Sequence, residues 1–253
     1  MKYKINKSFI SLTNEIFSIL RRFHSSGEIF IEGNRNLIKI FELSGQKVNV
    51  KSFKKPNLIN KIAYRYFRKS KSSRSYEYAT LLIEKGIGTP TPIAYIENYD
   101  IVGLNDSYYI SEHLDCDLTF RELVKTDYPD ADNILRQFTN FSYDLHQKGI
   151  EFKDHSPGNT LIVKGIENKY HFFLVDLNRM NFHDSMSFEL RMKNLSRLTP
   201  KKEMVAIMSS EYAKISSENE DLVFATMWKF TEEFQYRFHR KKRLKKKLKF
   251  WKK

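Results

Sequence analysis

Cysteine is almost missing from this chain: Cys116 is the one example in 253 residues. A lone thiol excludes an internal disulfide and a cysteine-built metal centre, and it fits a reducing compartment. Long apolar runs are missing as well. Asn6, Lys7, Thr13, Asn14 and Glu15 break every apolar stretch near the start, so no secretory core is read there. No other run approaches the roughly 20 apolar residues of a spanning helix, and the expectation is a cytoplasmic chain that crosses no membrane. Acid is absent from one segment, residues 237 to 253, which carry eleven Lys and Arg and leave only +3 of the +14 net charge to the other 236 residues. Nucleic acid is therefore an unlikely partner for the body of the chain: the basic excess sits in a tail, with no recognition motif beside it.

What is present is core-building material, 41% hydrophobic and 14% aromatic residues, enough for one large domain or two lobes. Apolar positions Phe9, Leu12, Ile16, Ile19, Leu20 and Phe23 have helical spacing, and Gly27 ends that helix. Three β-like runs follow, Glu28 to Glu32, Leu37 to Leu43 and Lys47 to Phe53, separated by the turn-forming Gly33-Asn34-Arg35-Asn36 and Ser44-Gly45-Gln46. They predict an antiparallel meander. Pro56 breaks it, and residues 58 to 85 read as helical, first a basic amphipathic piece through Phe67 and then a helix from about Ser73. After Thr89-Pro90-Thr91-Pro92 come two more strands, Ile93 to Glu97 and Tyr108 to Glu112, then a hinge-like break over 113 to 117. Thr119 and Glu122 have capping-box spacing. A long helix is predicted from Ala131 to Lys148 with Gly149 as its C-cap, and His146 near its end reads as a packed core histidine. Further helical patterns lie around 188 to 198, 201 to 215 and 222 to 238.

The segment 152 to 178 carries the chemistry. Asp154 is followed five residues later by Asn159, through a Pro157-Gly158 turn and into the strand Thr160 to Val163; a second strand, Tyr170 to Val175, delivers Asp176. A surface turn would account for Asp-His-Ser-Pro-Gly-Asn alone. Phosphoryl transfer, however, needs a carboxylate to orient the attacking hydroxyl and oxygen ligands for Mg²⁺, and these three residues supply both. Upstream, Val48-Asn49-Val50-Lys51 is close to the Val-Ala-Ile-Lys of a kinase third strand. Glu77, among apolar neighbours on its helix, requires a cationic partner if it faces the core; Lys51, Arg74 and Lys85 are all in contention.

Lys51, Glu77, the hinge, Asp154 with Asn159, and Asp176 occur in kinase order. Through Val50 to Lys54, Arg68 to Ala79, Thr89 to Pro92 and Asp154 to Asn159, the chain resembles the bacterial lipopolysaccharide kinases, the group of the 3-deoxy-D-manno-octulosonic acid (Kdo) and core heptose kinases. The likeness covers about 28 to 198. It implies an α+β, two-lobed protein-kinase-like fold, with an antiparallel-sheet N-lobe at 28–112 and a mainly helical C-lobe at 113–236. These are flanked by an N-terminal helix at 1–27 and a basic tail at 237–253. It implies ATP and Mg²⁺ as cofactors and a lipopolysaccharide or lipid A sugar hydroxyl as acceptor. By the same resemblance Asp154 accepts the hydroxyl proton, Asn159 and Asp176 hold the metal, Lys51 binds phosphates, Glu77 fixes Lys51, and main-chain groups from Glu112 to Leu114 meet adenine. His-Arg-Asp is replaced by Phe152-Lys153-Asp154, Asp-Phe-Gly by Asp176-Leu177-Asn178, and only Gly33 stands in the glycine-rich loop. A small-molecule phosphotransferase, a protein kinase and a degenerate kinase would keep much of this pattern.

In the tail, Leu244, Leu248 and Trp251 fall at i, i+4 and i+7 within a basic field, suited to an anionic leaflet. A kinase of a membrane glycolipid is thus expected to dock peripherally, through residues 237 to 253, on the cytoplasmic face of the inner membrane.

Overall fold

A computed structural model describes residues 1–33 and 36–250, with side chains through 246. The chain divides into two compact units, 1–115 with 175–178, and 116–174 with 179–253.

The first unit is built on a six-stranded antiparallel sheet. Its strands are β1 (Lys2–Ile5), β2 (Glu28–Glu32), β3 (Asn36–Leu43), β4 (Gln46–Phe53), β5 (Pro92–Tyr99) and β6 (Leu104–Glu112), arranged β1-β5-β6-β4-β3-β2. Alternation sets its buried face, as β4 shows by placing Val48 and Val50 inside. Against that face lies α1 (Thr13–Arg21). Its Ile16 and Ile19, with Phe23 just beyond, are fully buried among Phe41, Leu43, Ile93, Ile96 and Ile110. Burying each such side chain stabilises the unit by about 1.5–3 kcal/mol. The predicted helix from Phe9 is shorter than expected: residues 7–12 form a 3₁₀ turn in which Asn6 caps the Ser8 N–H and no residue is buried. Two more helices, α2 (Leu58–Tyr66) and α3 (Lys71–Glu84), complete the unit. Asn34 and Arg35 of the β2–β3 turn lie outside the described residues.

The second unit is mainly helical. Its helices are α4 (Phe120–Lys125), α5 (Ala131–Gln147), α6 (Phe188–Leu195), α7 (Lys202–Ser216) and α8 (Glu220–Phe250). Strands β7 (Leu118–Thr119), β9 (Thr160–Lys164) and β10 (Tyr170–Leu174) form one small sheet, while β8 (Ile150–Phe152) pairs with β11 (Met180–Phe182). The expected capping box opens α4: Glu122 accepts from the Thr119 N–H at 2.7 Å. Phe138 of α5 centres the core, its ring 4.6 Å from Phe120 and 5.5 Å from Phe172. Gly149 ends α5 with φ +70°, and a Cβ there would stand 1.9 Å from the His183 carbonyl oxygen, so only glycine lets the chain turn from α5 into β8. Helix α8 runs well past the predicted end near Phe238, into the basic tail; Trp251 and the side chain of Leu248 lie outside the described residues. No helix among the described residues is long and apolar enough to cross a membrane.

Candidate active site

Lys51 lies on β4, an interior strand flanked by β3 and β6, where register places it beside Ile38 and Tyr109. Its side chain is largely buried, and Nζ has two partners: the Phe53 ring, 5.2 Å away, and Asp176 Oδ1 at 2.5 Å. Asp176 belongs to the segment 175–178 that clusters with this unit, and it adopts the left-handed conformation with φ +60°. Asn178 Nδ2 donates to the same Oδ1 at 2.8 Å, so two donors hold one carboxylate oxygen while Oδ2 takes part in neither bond.

Glu77 departs from expectation. It does not pair with Lys51; Lys69, just before the α3 N-cap Ser70, donates to Glu77 Oε2 at 2.7 Å, and Ser73 Oγ lies 3.4 Å from Oε1. This hydrogen bond raises the Lys69 pKa above its ordinary value. The cause is local: Lys69 and Glu77 are on the same segment, whereas Lys51 already has Asp176. Glu112 closes β6 opposite Val48, and its N–H donates to Thr91 O at 3.0 Å while the next N–H, of His113, donates to Lys47 O at 2.9 Å. Those two donors are therefore engaged inside the unit.

In the second unit Asp154 follows β8. Three side chains fix this loop. Asn194 on α6 donates to the Phe152 carbonyl at 2.9 Å; Arg197, three residues on, donates through Nη1 to the Lys153 carbonyl at 2.6 Å and to Asp154 Oδ1 at 2.8 Å. Arg179 Nη1 stands 3.6 Å from the other oxygen, Oδ2. The Arg197 guanidinium is itself seated over the Phe234 ring at 5.3 Å. Asn159, in the turn before β9, donates from Nδ2 to the Asp154 carbonyl at 2.8 Å, so the two residues meet as expected. Neither Arg197 nor Asn194 is signalled by the sequence, because a polar residue near a helix end has many ordinary uses.

Beneath the loop, Asn194 Oδ1 faces His146 Nε2 at 3.2 Å, and the Tyr212 hydroxyl lies 3.0 Å from Nδ1. Since Nδ2 of Asn194 is spent on Phe152, Nε2 carries the imidazole proton and Nδ1 accepts from Tyr212. His146 is thus the buried, hydrogen-bonded histidine that the sequence reading expects; burial lowers its pKa to about 4. His155, fully buried against Phe138 and Phe152, is lowered to about 3, chiefly by burial and then by the neighbouring His146.

The residues also bear on a metal. Asp176 and Asn159 offer hard oxygen atoms of the kind Mg²⁺ prefers, and Asn159 already spends its nitrogen on the Asp154 carbonyl, leaving Oδ1 as the ligating end. Among the described residues there is no group of three or more His, Cys, Asp or Glu that would make a self-sufficient metal cage. Asp176 and Asn159, each within its own unit, are donors suited to a metal that takes most of its ligands from phosphate and water.

No protein-family model matches the chain, and no curated protein matches its sequence. Solved structures do. WaaP, determined in complex with acyl carrier protein, is similar over 92% of this chain and 99% of its own, with a TM-score of 0.62 and 17% identity. The fold is protein-kinase-like. A MAP kinase from Leishmania major aligns over 79% of this chain and 60% of its own, at TM-score 0.45 and 14% identity.

Proposed function

We propose that the protein is an ATP-dependent kinase that transfers the γ-phosphoryl group to a sugar hydroxyl, Kdo or heptose, of the lipopolysaccharide core or a lipid A precursor. One observation carries the kinase reading: on a protein-kinase-like fold, the Lys predicted to bind phosphates and the Asp predicted to bind metal hold each other, 2.5 Å apart. The sugar acceptor rests on the sequence resemblance.

In this reading Asp154 orients the acceptor hydroxyl and receives its proton, while Arg197 and Arg179 keep its carboxylate from rotating. Lys51 would bind phosphate oxygens, and Asp176 and Asn159 would serve as Mg²⁺ ligands, the roles that the sequence resemblance implies. When bound, that ion offsets the charge that builds on the transferring phosphoryl group. Because the N–H groups of Glu112 and His113 are engaged, adenine would draw on their carbonyls and on Leu114. Residues 237–253 would dock the enzyme on an anionic cytoplasmic leaflet.

Labelled ATP offered to lipid A precursors, free sugars, aminoglycosides, choline and generic protein substrates tests the acceptor. Label on a sugar of the lipid is the expected result; label on protein or a soluble small molecule would redirect it. Asp154→Ala should lower kcat by orders of magnitude while leaving the thermal shift given by MgATP nearly intact, since the carboxylate acts on the acceptor in the transition state. Equal loss of nucleotide binding would remove Asp154 from that role.

A further inference from the structure

Helix α2 is built inside out. Its nine residues include none that is buried. The polar positions face the body: Lys61 pairs with Asp100, and Arg65, one turn later, donates through Nη1 to the carbonyls of Asp100 at 3.1 Å and Ile101 at 2.8 Å. The contact is close enough that a Cβ on Gly103 would stand 2.4 Å from the Lys61 carbonyl oxygen. Lys61, half-buried, and Arg65, at the surface, tie the helix to the Asp100–Gly103 turn, while five apolar side chains on and beside it stay in solvent. Leu58, Ile59, Ile62 and Tyr66 are all exposed, Ile59 at 78%, and Phe67 follows at 83%. Ile101, at the tip of the same Asp100–Gly103 turn that receives Lys61 and Arg65, is 98% exposed and adds to them.

A soluble surface helix normally does the reverse, and a short helix with no buried face has little of its own to hold it. Here the helix is held by Lys61, Arg65 and the Asn57 cap, which accepts from the Asn60 N–H at 3.0 Å, so that the outward apolar set is presented on a fixed support. The segment around it is basic. From Lys54 to Tyr76 there are eight Lys and Arg and no Asp or Glu; Lys61 and Lys69 pair with Asp100 and Glu77, while Lys54, Lys55 and Arg68 are exposed. Aliphatic and aromatic side chains protruding from a convex helix, bordered by cations, have the chemistry of an interfacial membrane helix: the apolar bodies enter the headgroup boundary and the cations meet anionic headgroups.

We propose that α2, with Phe67 and Ile101, is a membrane-docking surface for an anionic lipid leaflet. This inference deepens the peripheral-membrane reading above, on which it rests, and assigns to the first unit a contact separate from the basic tail. Tail attraction, with eleven cations, is mainly electrostatic and weakens with salt far more than insertion of Ile59 and Phe67 does.

The test uses the full-length chain with vesicles of phosphatidylglycerol and phosphatidylcholine, against vesicles of phosphatidylcholine alone. Ile59→Asn with Phe67→Asn alters only exposed side chains, and its thermal unfolding serves as the folding control. The expected result is preferential binding to the anionic vesicles, lowered about tenfold or more by the double substitution and, at raised salt, abolished by it while deletion of 237–253 leaves a residual fraction. A polarity-sensitive dye on Ile59→Cys, in a Cys116→Ser background, should shift to the blue on the same vesicles. Binding that the double variant retains in full and the tail deletion abolishes would overturn the α2 assignment and leave the peripheral reading standing. Failure of the unaltered chain to bind anionic vesicles would overturn both. Unchanged vesicle binding, together with lost capture of an acidic protein such as acyl carrier protein, would also overturn the lipid assignment and make the surface a protein interface.

Discussion

Lys51 is committed to an aspartate 125 residues away in the chain, and that choice decides what mutagenesis should find. In a double-mutant cycle on stability, Lys51→Met with Asp176→Asn should show a coupling of about 1 kcal/mol or more, because each substitution strands a partner that is at least partly shielded from water. Lys51→Met with Glu77→Gln should be additive within about 0.5 kcal/mol. A strong Lys51–Glu77 coupling in urea titrations would contradict the observed pairing. In the proposed reaction, Arg197→Ala should reduce kcat about tenfold or more and leave the MgATP thermal shift in place, because it removes one of two guanidinium groups from the Asp154 carboxylate and a bond to the Lys153 carbonyl without touching Lys51 or Asp176. Equal effects on kcat and nucleotide binding would mean that Arg197 supports the whole unit rather than one side chain. The sequence singles out Asp154, Asn159, Lys51 and Asp176 as candidates because their spacing follows from strands and a turn that periodicity places. It hid Arg197 and Asn194 because their contacts span more than 40 residues and carry no period. Glu77 differs from expectation for the opposite reason: a cation eight residues upstream, Lys69, reaches it before Lys51 can.

At the level of elements, legibility followed length. The long amphipathic α5 and the alternating β3 and β4 stand within a residue or two of their predicted bounds, whereas β1, β7, β8 and β11, of two to four residues each, leave no signal in the sequence. Short strands hold too few apolar residues to show a period, and tertiary pairing alone defines them. β8 nevertheless sets the position of Asp154, and its start depends on one glycine. Gly149→Ala combines positive φ with a clash against the His183 carbonyl, so a loss of roughly 2 kcal/mol or more in unfolding free energy is expected, with β8–β11 amides exchanging faster than those of the six-stranded sheet. Hydrogen exchange resolved by residue checks this; uniform acceleration over the whole chain would show that the effect is not local.

For the molecule as a whole, the two buried imidazoles predict how stability responds to acid. His146 and His155 stay neutral in the folded chain down to about pH 4 and about pH 3, while the unfolded chain takes up their protons near pH 6.5. Between those limits the unfolded state binds more protons, so stability is complete near neutrality and falls as pH drops, by about 1.4 kcal/mol per pH unit for each ring. His155→Phe, which fills the same aromatic box without nitrogens, should flatten the decline in urea midpoint between pH 6.5 and 4.5 (about half of the slope) and cost little at pH 7. An unchanged slope would place the acid sensitivity elsewhere. A different consequence follows from the rim of the six-stranded sheet. β2 ends that sheet, and Ile29, Phe30 and Ile31 are all at least half exposed along it, a run of the kind that templates cross-strand stacking between molecules. Glu28 and Glu32 stand at its two ends as gatekeepers, and the net charge of +14 keeps neighbours apart at low ionic strength. Colloidal behaviour should therefore turn on salt: the conditions that screen the basic tail are also those under which this edge becomes free to polymerise.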